Sequence, residues 1–145
     1  MKTRKIILYF LLTLITSVSL SAQELSSHKW EDRLLLILTT ENSKYRHQEQ
    51  IKILQDNIEG LEERKLVIYS VMPDQYKIGI GAESWMKSAR LNDRYRQEGK
   101  EFEVILIGLD GGVKLRQSEI LSIEKLFATI DAMPMRRNEK SNKSR

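Results

Sequence analysis

The sequence predicts an α/β domain: a central mixed sheet of about four strands in the order β-α-β-α-β-β-α, flanked by helices. Three observations carry that prediction. Two short strand-like runs, Leu34 to Leu38 and Lys65 to Val71, are separated by a stretch of helical periodicity, which is the pattern of a parallel βαβ unit. A third apolar run, Phe102 to Ile107, meets Asp110-Gly111-Gly112, a two-glycine turn of the kind that joins antiparallel strands. Beyond it, Ile123, Leu126, Phe127 and Ile130 recur at i, i+3, i+4, i+7, the stripe of an amphipathic helix laid on a sheet.

Taken in order, residues 1–22 have the form of an export signal. Lys2, Arg4 and Lys5 make a basic start, Ile6 to Ile15 an apolar stretch of about 10 residues, and Ser19, Ser21 and Ala22 a small-residue end. The apolar stretch is too short to cross a bilayer comfortably. Cleavage after Ser21 and after Ala22 both fit, and removal leaves no stable membrane anchor. About 123 residues then remain, enough for one core and too few for two. The domain is placed at 23–135.

Trp30-Glu31-Asp32-Arg33 introduces Leu34 to Leu38, a run apolar on every residue and so expected to be covered on both faces. Asn42 or Ser43 can cap a helix whose Ile51, Leu54, Ile58 and Leu61 fall on one side. Gly60 loosens its end, and Pro73 stops the second strand. Gly79 and Gly81 flank a loop, followed by a helix expected from about Glu83 to Gln97, ended by Gly99, with Trp85, Met86 and Ala89 on its buried side. Phe102 to Ile107, the glycine turn and Val113 to Arg116 form the hairpin, and Ser122 caps the last helix. Residues 136–145 are expected to be a basic, polar, disordered tail.

Charge and composition exclude several classes of function. Three of the 24 basic residues lie in 1–22, and five of them, with one acid, lie in 136–145, which leaves 16 basic against 19 acidic side chains in the body. A net charge of −3 on residues 23–135 gives no basic stripe for nucleic acid. The chain has no Cys, hence no disulfide, redox pair or thiolate ligand. His28 and His47, without an HExxH or Cys partner, carry no metal signature, and no cofactor motif is present.

The element order matches the thioredoxin-like fold. The block FEVILIGLDGGVKLR, followed by LFATIDAMPMRR, resembles the bacterial family called domain of unknown function 4174. Trp30 with Arg33 and the apolar strand, and Leu61-Glu62-Glu63-Arg64-Lys65-Leu66-Val67, look like that family's opening. The resemblance implies a thioredoxin-like fold, related to a peroxiredoxin-like domain of extracellular sushi-repeat proteins, but no agreed substrate. In thioredoxins and peroxiredoxins the working thiol sits just after the first strand, where the helix N-terminus lowers its pKa. That segment here is Thr39-Thr40-Glu41-Asn42-Ser43, and Lys100-Glu101 stand where thioredoxins place a cis-proline. Both halves of a redox site are missing.

The candidate binding residues are therefore Thr39, Thr40, Glu41, Asn42 and Ser43, whose hydroxyls, side-chain amide and helix-end amides suit an anion or a carbonyl oxygen, with capping and turn chemistry as the plain alternative. Lys114 and Arg116, alternating on one strand and expected to share a face, can bind an anion or simply protect a sheet edge. His47 is expected on a solvated helix face, His28 in an unstructured start, and Trp30 as a core or edge anchor. Met133 and Met135 form either a contact surface or a segment folded back on the core. The sequence thus points to an exported, periplasmic or secreted module that works by binding another envelope or extracellular protein, or a small ligand, without thiol chemistry. The alternatives are a cysteine-independent enzyme at the Thr39 to Ser43 corner, in which Glu41, Asp110, Asp131 and His47 would be the available acids and bases, and an accessory protein of an envelope redox or stress system.

Overall fold

The computed structural model describes residues 23–81 and 83–143, so the expected export signal lies outside the described residues. The elements are α1 (Gln23–Ser26), β1 (Arg33–Thr39), a 3-10 turn (Glu41–Ser43), α2 (Lys44–Gln55), α3 (Ile58–Glu63), β2 (Leu66–Val71), β3 (Gln75–Ile78), β4 (Met86–Lys87), α4 (Arg90–Tyr95), β5 (Phe102–Ile107), β6 (Val113–Gln117), α5 (Ile123–Asp131) and α6 (Pro134–Lys143). One sheet carries the order β4-β3-β2-β1-β5-β6. β1 pairs in parallel with β2 and antiparallel with β5, as the sequence predicts for a βαβ start and an antiparallel finish. Among the described residues no helix is long and apolar enough to cross a membrane.

All seven residues of β1 and all six of β5 are buried, because helices cover both faces of the sheet. Leu35, Ile37, Val104 and Leu106 pack with Leu54, Leu61, Leu126 and Ile130 from α2, α3 and α5. Leu34, Leu36, Ile105 and Ile107 meet Tyr69, Leu91 and Tyr95 on the opposite face. Each large apolar side chain buried in this way contributes about 1.5–3 kcal/mol relative to exposure. In α5 the cap is the one expected: the Ser122 hydroxyl accepts from Lys125 N at 3.3 Å. In the β5–β6 turn, Gly111 stands at φ +80°, a conformation that only glycine adopts without strain, and Asp110 Oδ1 accepts from Gly112 N at 3.0 Å.

The sheet has six strands where about four are expected. β3 and β4 are added antiparallel at the free edge of β2. Both are short and polar, so neither shows alternation strong enough to be seen in the sequence; the unpaired backbone of β2 recruits them. The same pairing overrides the helix expected over 83–97, which is confined to α4, with Leu91 as its buried anchor while Met86 and Ala89 are exposed. The single helix expected after Ser43 also breaks. It ends at Asp56, and Asn57 Nδ2 caps back onto Ile53 O at 2.9 Å, so α3 restarts in a new phase and Ile58 is left 46% exposed. Gly60 does not loosen an end: it lies inside α3 under the Phe127 ring, where a Cβ would approach Cζ to 2.6 Å.

The largest correction concerns the C-terminus. Residues 136–143 are not a disordered tail but the body of α6. Arg136, only 4% exposed, donates to Glu63 O at 2.9 Å, to Glu63 Oε1 at 2.6 Å and to Asp131 Oδ1 at 3.3 Å. Glu139 reaches Arg33, a fully buried guanidinium on β1, at 3.1 Å. Arg64 and Lys140 add to Asp131 at 2.8 and 3.0 Å. Burial pushes the Asp131 carboxyl up, but these hydrogen bonds outweigh it and hold the group at about 2. A composition that cannot form an apolar core is thus ordered by charge-assisted hydrogen bonds, and Met133 packs against the core as the segment folds back.

Candidate functional site

The corner after β1 is the place the sequence singles out, and its side chains are used internally. Thr39 Oγ1 and Ser43 Oγ lie 3.0 Å apart, and both residues are buried. The Ser43 hydroxyl donates to Glu101 O at 2.7 Å and accepts from Thr40 N at 3.1 Å, while Thr40 Oγ1 lies 3.4 Å from it. Asn42 Nδ2 donates to Glu101 Oε1 at 3.1 Å, and Glu41 pairs with Lys44 across one helical turn. Arg96 completes the splice by donating to Thr39 O at 2.9 Å and to Lys100 O at 2.8 Å. Together these contacts hold the end of β1 against the start of β5.

Lys114 and Arg116 are not brought to that corner, nor do they share a face. A bulge opposite Leu106/Ile107 shifts the alternation between them. Lys114 turns to Asp110 at 2.7 Å, beside Met133 and Met135. Arg116 turns to the other side, to Tyr95 O at 2.9 Å and to the buried carboxylate of Glu103 at 2.8 Å. Both sit on β6, an edge strand. Trp30, expected as an anchor, is 59% exposed at φ +71°; its backbone N–H, bonded to Leu109 O at 2.7 Å, makes the attachment instead. His28 is ordered, linking Asp32 at 2.8 Å to the buried Tyr69 hydroxyl at 2.9 Å.

Next to the hydroxyl corner a cleft of about 500 Å³ runs from Thr39 and Met72, at the carboxyl ends of β1 and β2, along α2 as far as Gln55. α2 presents Lys44, His47, Ile51 and Gln55 to it, with Thr39 at its base. The far wall comes from the β2–β3–β4 extension: Met72, Lys77, Ile80 and Trp85. Lys77 stands across from Ser70 in the β2–β3 register, which turns it toward the face where α2 lies. Its ammonium rests 5.1 Å from the centre of the Trp85 ring.

His47 is half-buried rather than solvated. Its Nε2 lies 2.8 Å from Ser70 Oγ. Burial, helped by the charge of Lys77, pushes its pKa from 6.5 down to about 4, so the ring is neutral at neutral pH. Ser70 is fully buried and does not line the cleft, so its hydroxyl orients the imidazole and is not presented as a nucleophile. Among the described residues no group of three His, Cys, Asp or Glu side chains could hold a metal ion. Sequence reasoning named His47 but placed it on a solvated face, with an acid-base role only in the enzyme alternative, and it missed Lys77, Met72 and the cleft role of Trp85. One signal was available: positions 44, 47, 51 and 55 follow i, i+3, i+7, i+11, a second stripe of α2 beside the core stripe.

A family model described as Domain of unknown function (DUF4174) matches residues 24–139, from α1 into α6. The chain belongs to this family. The match bears out the resemblance seen in the strand-turn-strand block, and the structure gives its C-terminal segment a physical role, since Asp131 and Arg136 of IDAMPMRR are members of the ion network on α6. No curated protein matches the chain. Among solved structures it is similar to the mitochondrial 2-Cys peroxiredoxin from Plasmodium falciparum, at 14% identity over 81% of this chain and 83% of that one, with a TM-score of 0.56. It is equally similar to the reduced 2-Cys peroxiredoxin of Plasmodium vivax, at 15% identity over 80% and 84%, again with a TM-score of 0.56. The fold is thioredoxin-like, of the peroxiredoxin kind, without cysteine.

Proposed function

We propose that this DUF4174 protein is an exported binding module that keeps a peroxiredoxin-like scaffold and uses no thiol of its own. Its ligand, a small molecule or a segment of another envelope or extracellular protein, occupies the cleft between α2 and the β2–β3–β4 extension. The observation that carries this reading is a division of labour at one end of the sheet. The segment standing where a thiol would be is closed by its own hydrogen bonds from Thr39, Thr40 and Ser43, whereas the adjoining cleft of about 500 Å³ stays open, within the range of about 300–1,000 Å³ typical of ligand sites. Export is supported by the basic and apolar start of the chain.

Capture from the native envelope fraction tests the reading. The wild-type mature protein is expected to retain a partner or ligand that His47→Ala and Trp85→Ala lose, while Thr40→Ala and Asn42→Ala keep it and melt close to the wild type. Retention by both cleft variants would overturn the assignment of the cleft. Sustained, catalytic consumption of hydrogen peroxide by contaminant-free mature protein would overturn the thiol-independent reading itself. A protein whose N-terminus begins at Met1 in purified envelope fractions would refute export with cleavage.

A further inference from the structure

We infer that the cleft is selective for small organic anions: a carboxylate carried on an alkyl or aryl body. The inference rests on the binding reading above and deepens it. The decisive feature is the charge of the lining. Lys44 and Lys77 contribute two ammonium groups, and among the described residues no Asp or Glu lines the cleft, although the body of the chain is net acidic. Lys44 shares its charge with Glu41, in a pair more than half exposed on both sides and therefore weak and easily exchanged. Lys77 is half-buried, with its ammonium over the ring of Trp85 and its charge felt by His47; no carboxylate pairs with it among the described residues. A cation held partly out of water without a counter-ion attracts an anion more strongly than an exposed lysine does, because the local dielectric is lower.

The rest of the wall specifies the body of the ligand. Met72, Ile51 and Ile80 give an apolar surface beside the Trp85 ring, and methionine adapts to irregular aliphatic or aromatic shapes. His47 takes one partner, Ser70, through Nε2, which leaves its second ring nitrogen for hydrogen bonding. A free inorganic anion would leave the apolar wall wetted, and a neutral lipid would leave Lys77 unpaired. An amphipathic carboxylate satisfies both.

Three probes with one tail and different heads separate these possibilities: decanoate, decanol and decylamine, each below its micellar concentration. The chain has two tryptophans, so the Trp30→Phe mature protein reports through Trp85 alone. Decanoate is expected to change the Trp85 emission saturably, binding about tenfold more tightly than decanol and more tightly still than decylamine, a ratio set by a single charge contact. In Lys77→Gln, and less so in Lys44→Gln, decanoate should fall toward the decanol affinity, with the circular dichroism spectrum unchanged. Equal binding of decanol and decanoate would overturn the anion selectivity and leave the cleft as a binding site. Silence of Trp85 toward all three probes, in a protein that still captures its envelope partner through the cleft, would overturn the small-ligand inference and leave a protein partner. Silence combined with failed capture would overturn both readings.

Discussion

Replacing Glu139 with alanine tests whether the polar C-terminal helix is part of the fold. Arg33 is fully buried in β1. Its guanidinium donates to Arg64 O at 2.9 Å and to the two oxygens of Glu139 at 3.1 and 3.4 Å, and its Nε has no partner among the described residues. Glu139→Ala therefore removes the carboxylate that pairs with this buried cation among the described residues. Breaking a buried pair from one side costs about 3–5 kcal/mol. Because the Glu139 side chain is 26% exposed, water can approach the site and the expected loss is reduced to about 2–3 kcal/mol. That is a large share of the roughly 5–15 kcal/mol that holds a domain of this size together. Arg33→Met should behave differently. It removes the buried charge together with its orphaned Nε and leaves Glu139 to Arg136 and solvent, so stability should stay within about 1 kcal/mol of wild type. The Arg33→Met/Glu139→Ala double variant should then be more stable than Glu139→Ala alone by at least about 1 kcal/mol. Urea unfolding of the mature protein, followed by far-ultraviolet circular dichroism and extrapolated linearly, measures all four corners of the cycle. A Glu139→Ala protein within about 0.5 kcal/mol of wild type would refute the reasoning and return α6 to the status of a dispensable tail.

The remaining predictions concern the cleft, the corner and one glycine. Since the folded pKa of His47 lies near 4 against 6.5 in the unfolded chain, only the unfolded chain takes up this proton between those values. Stability should fall by about 1–2 kcal/mol as pH drops from 6.5 to 4, after allowance for the partly exposed ring; a His47→Asn protein whose urea midpoints decline as steeply as wild type over that window would contradict the assignment. Ser43→Ala leaves Thr40 N and Glu101 O without their partner and should cost about 1–3 kcal/mol, while the decanoate titration stays unchanged. Loss of ligand binding with no loss of stability would instead make the corner a binding site. Gly60→Ala should destabilise the fold by about 1–2 kcal/mol, because crowding against Phe127, whose ring is held under Arg64 at 4.0 Å, outweighs the gain of about 1 kcal/mol in helix propensity; a rise in melting temperature would show that the ring moves freely.

Four of the six strands were legible because their signals are local. Leu34 to Leu38 is a continuous apolar run and Phe102 to Ile107 an apolar run broken only by Glu103, the pattern of strands covered on both faces, and the turn between β5 and β6 is specified by Gly111 and Asp110. β3 and β4 were not, because Gln75 to Ile78 and Met86-Lys87 become strands only through the edge that β2 offers. The same reason hid the cleft. Lys44, His47 and Ile51 could be placed on one stripe of α2, but Met72, Lys77 and Trp85 reach it from a layer that local pattern does not announce.

Residue types and short-range periodicity determined the α/β class, the parallel start, the hairpin, the family and the absence of thiols, since each depends on side chains close together along the chain. Tertiary structure decided what the charges do. Arg136 and Glu139 look solvated beside Asn138 and Lys140, yet they meet Glu63 and Arg33 from positions 73 and 106 residues away. Whether a polar residue faces water or a buried partner depends on what folds over it, and that is settled only when distant elements close on one another.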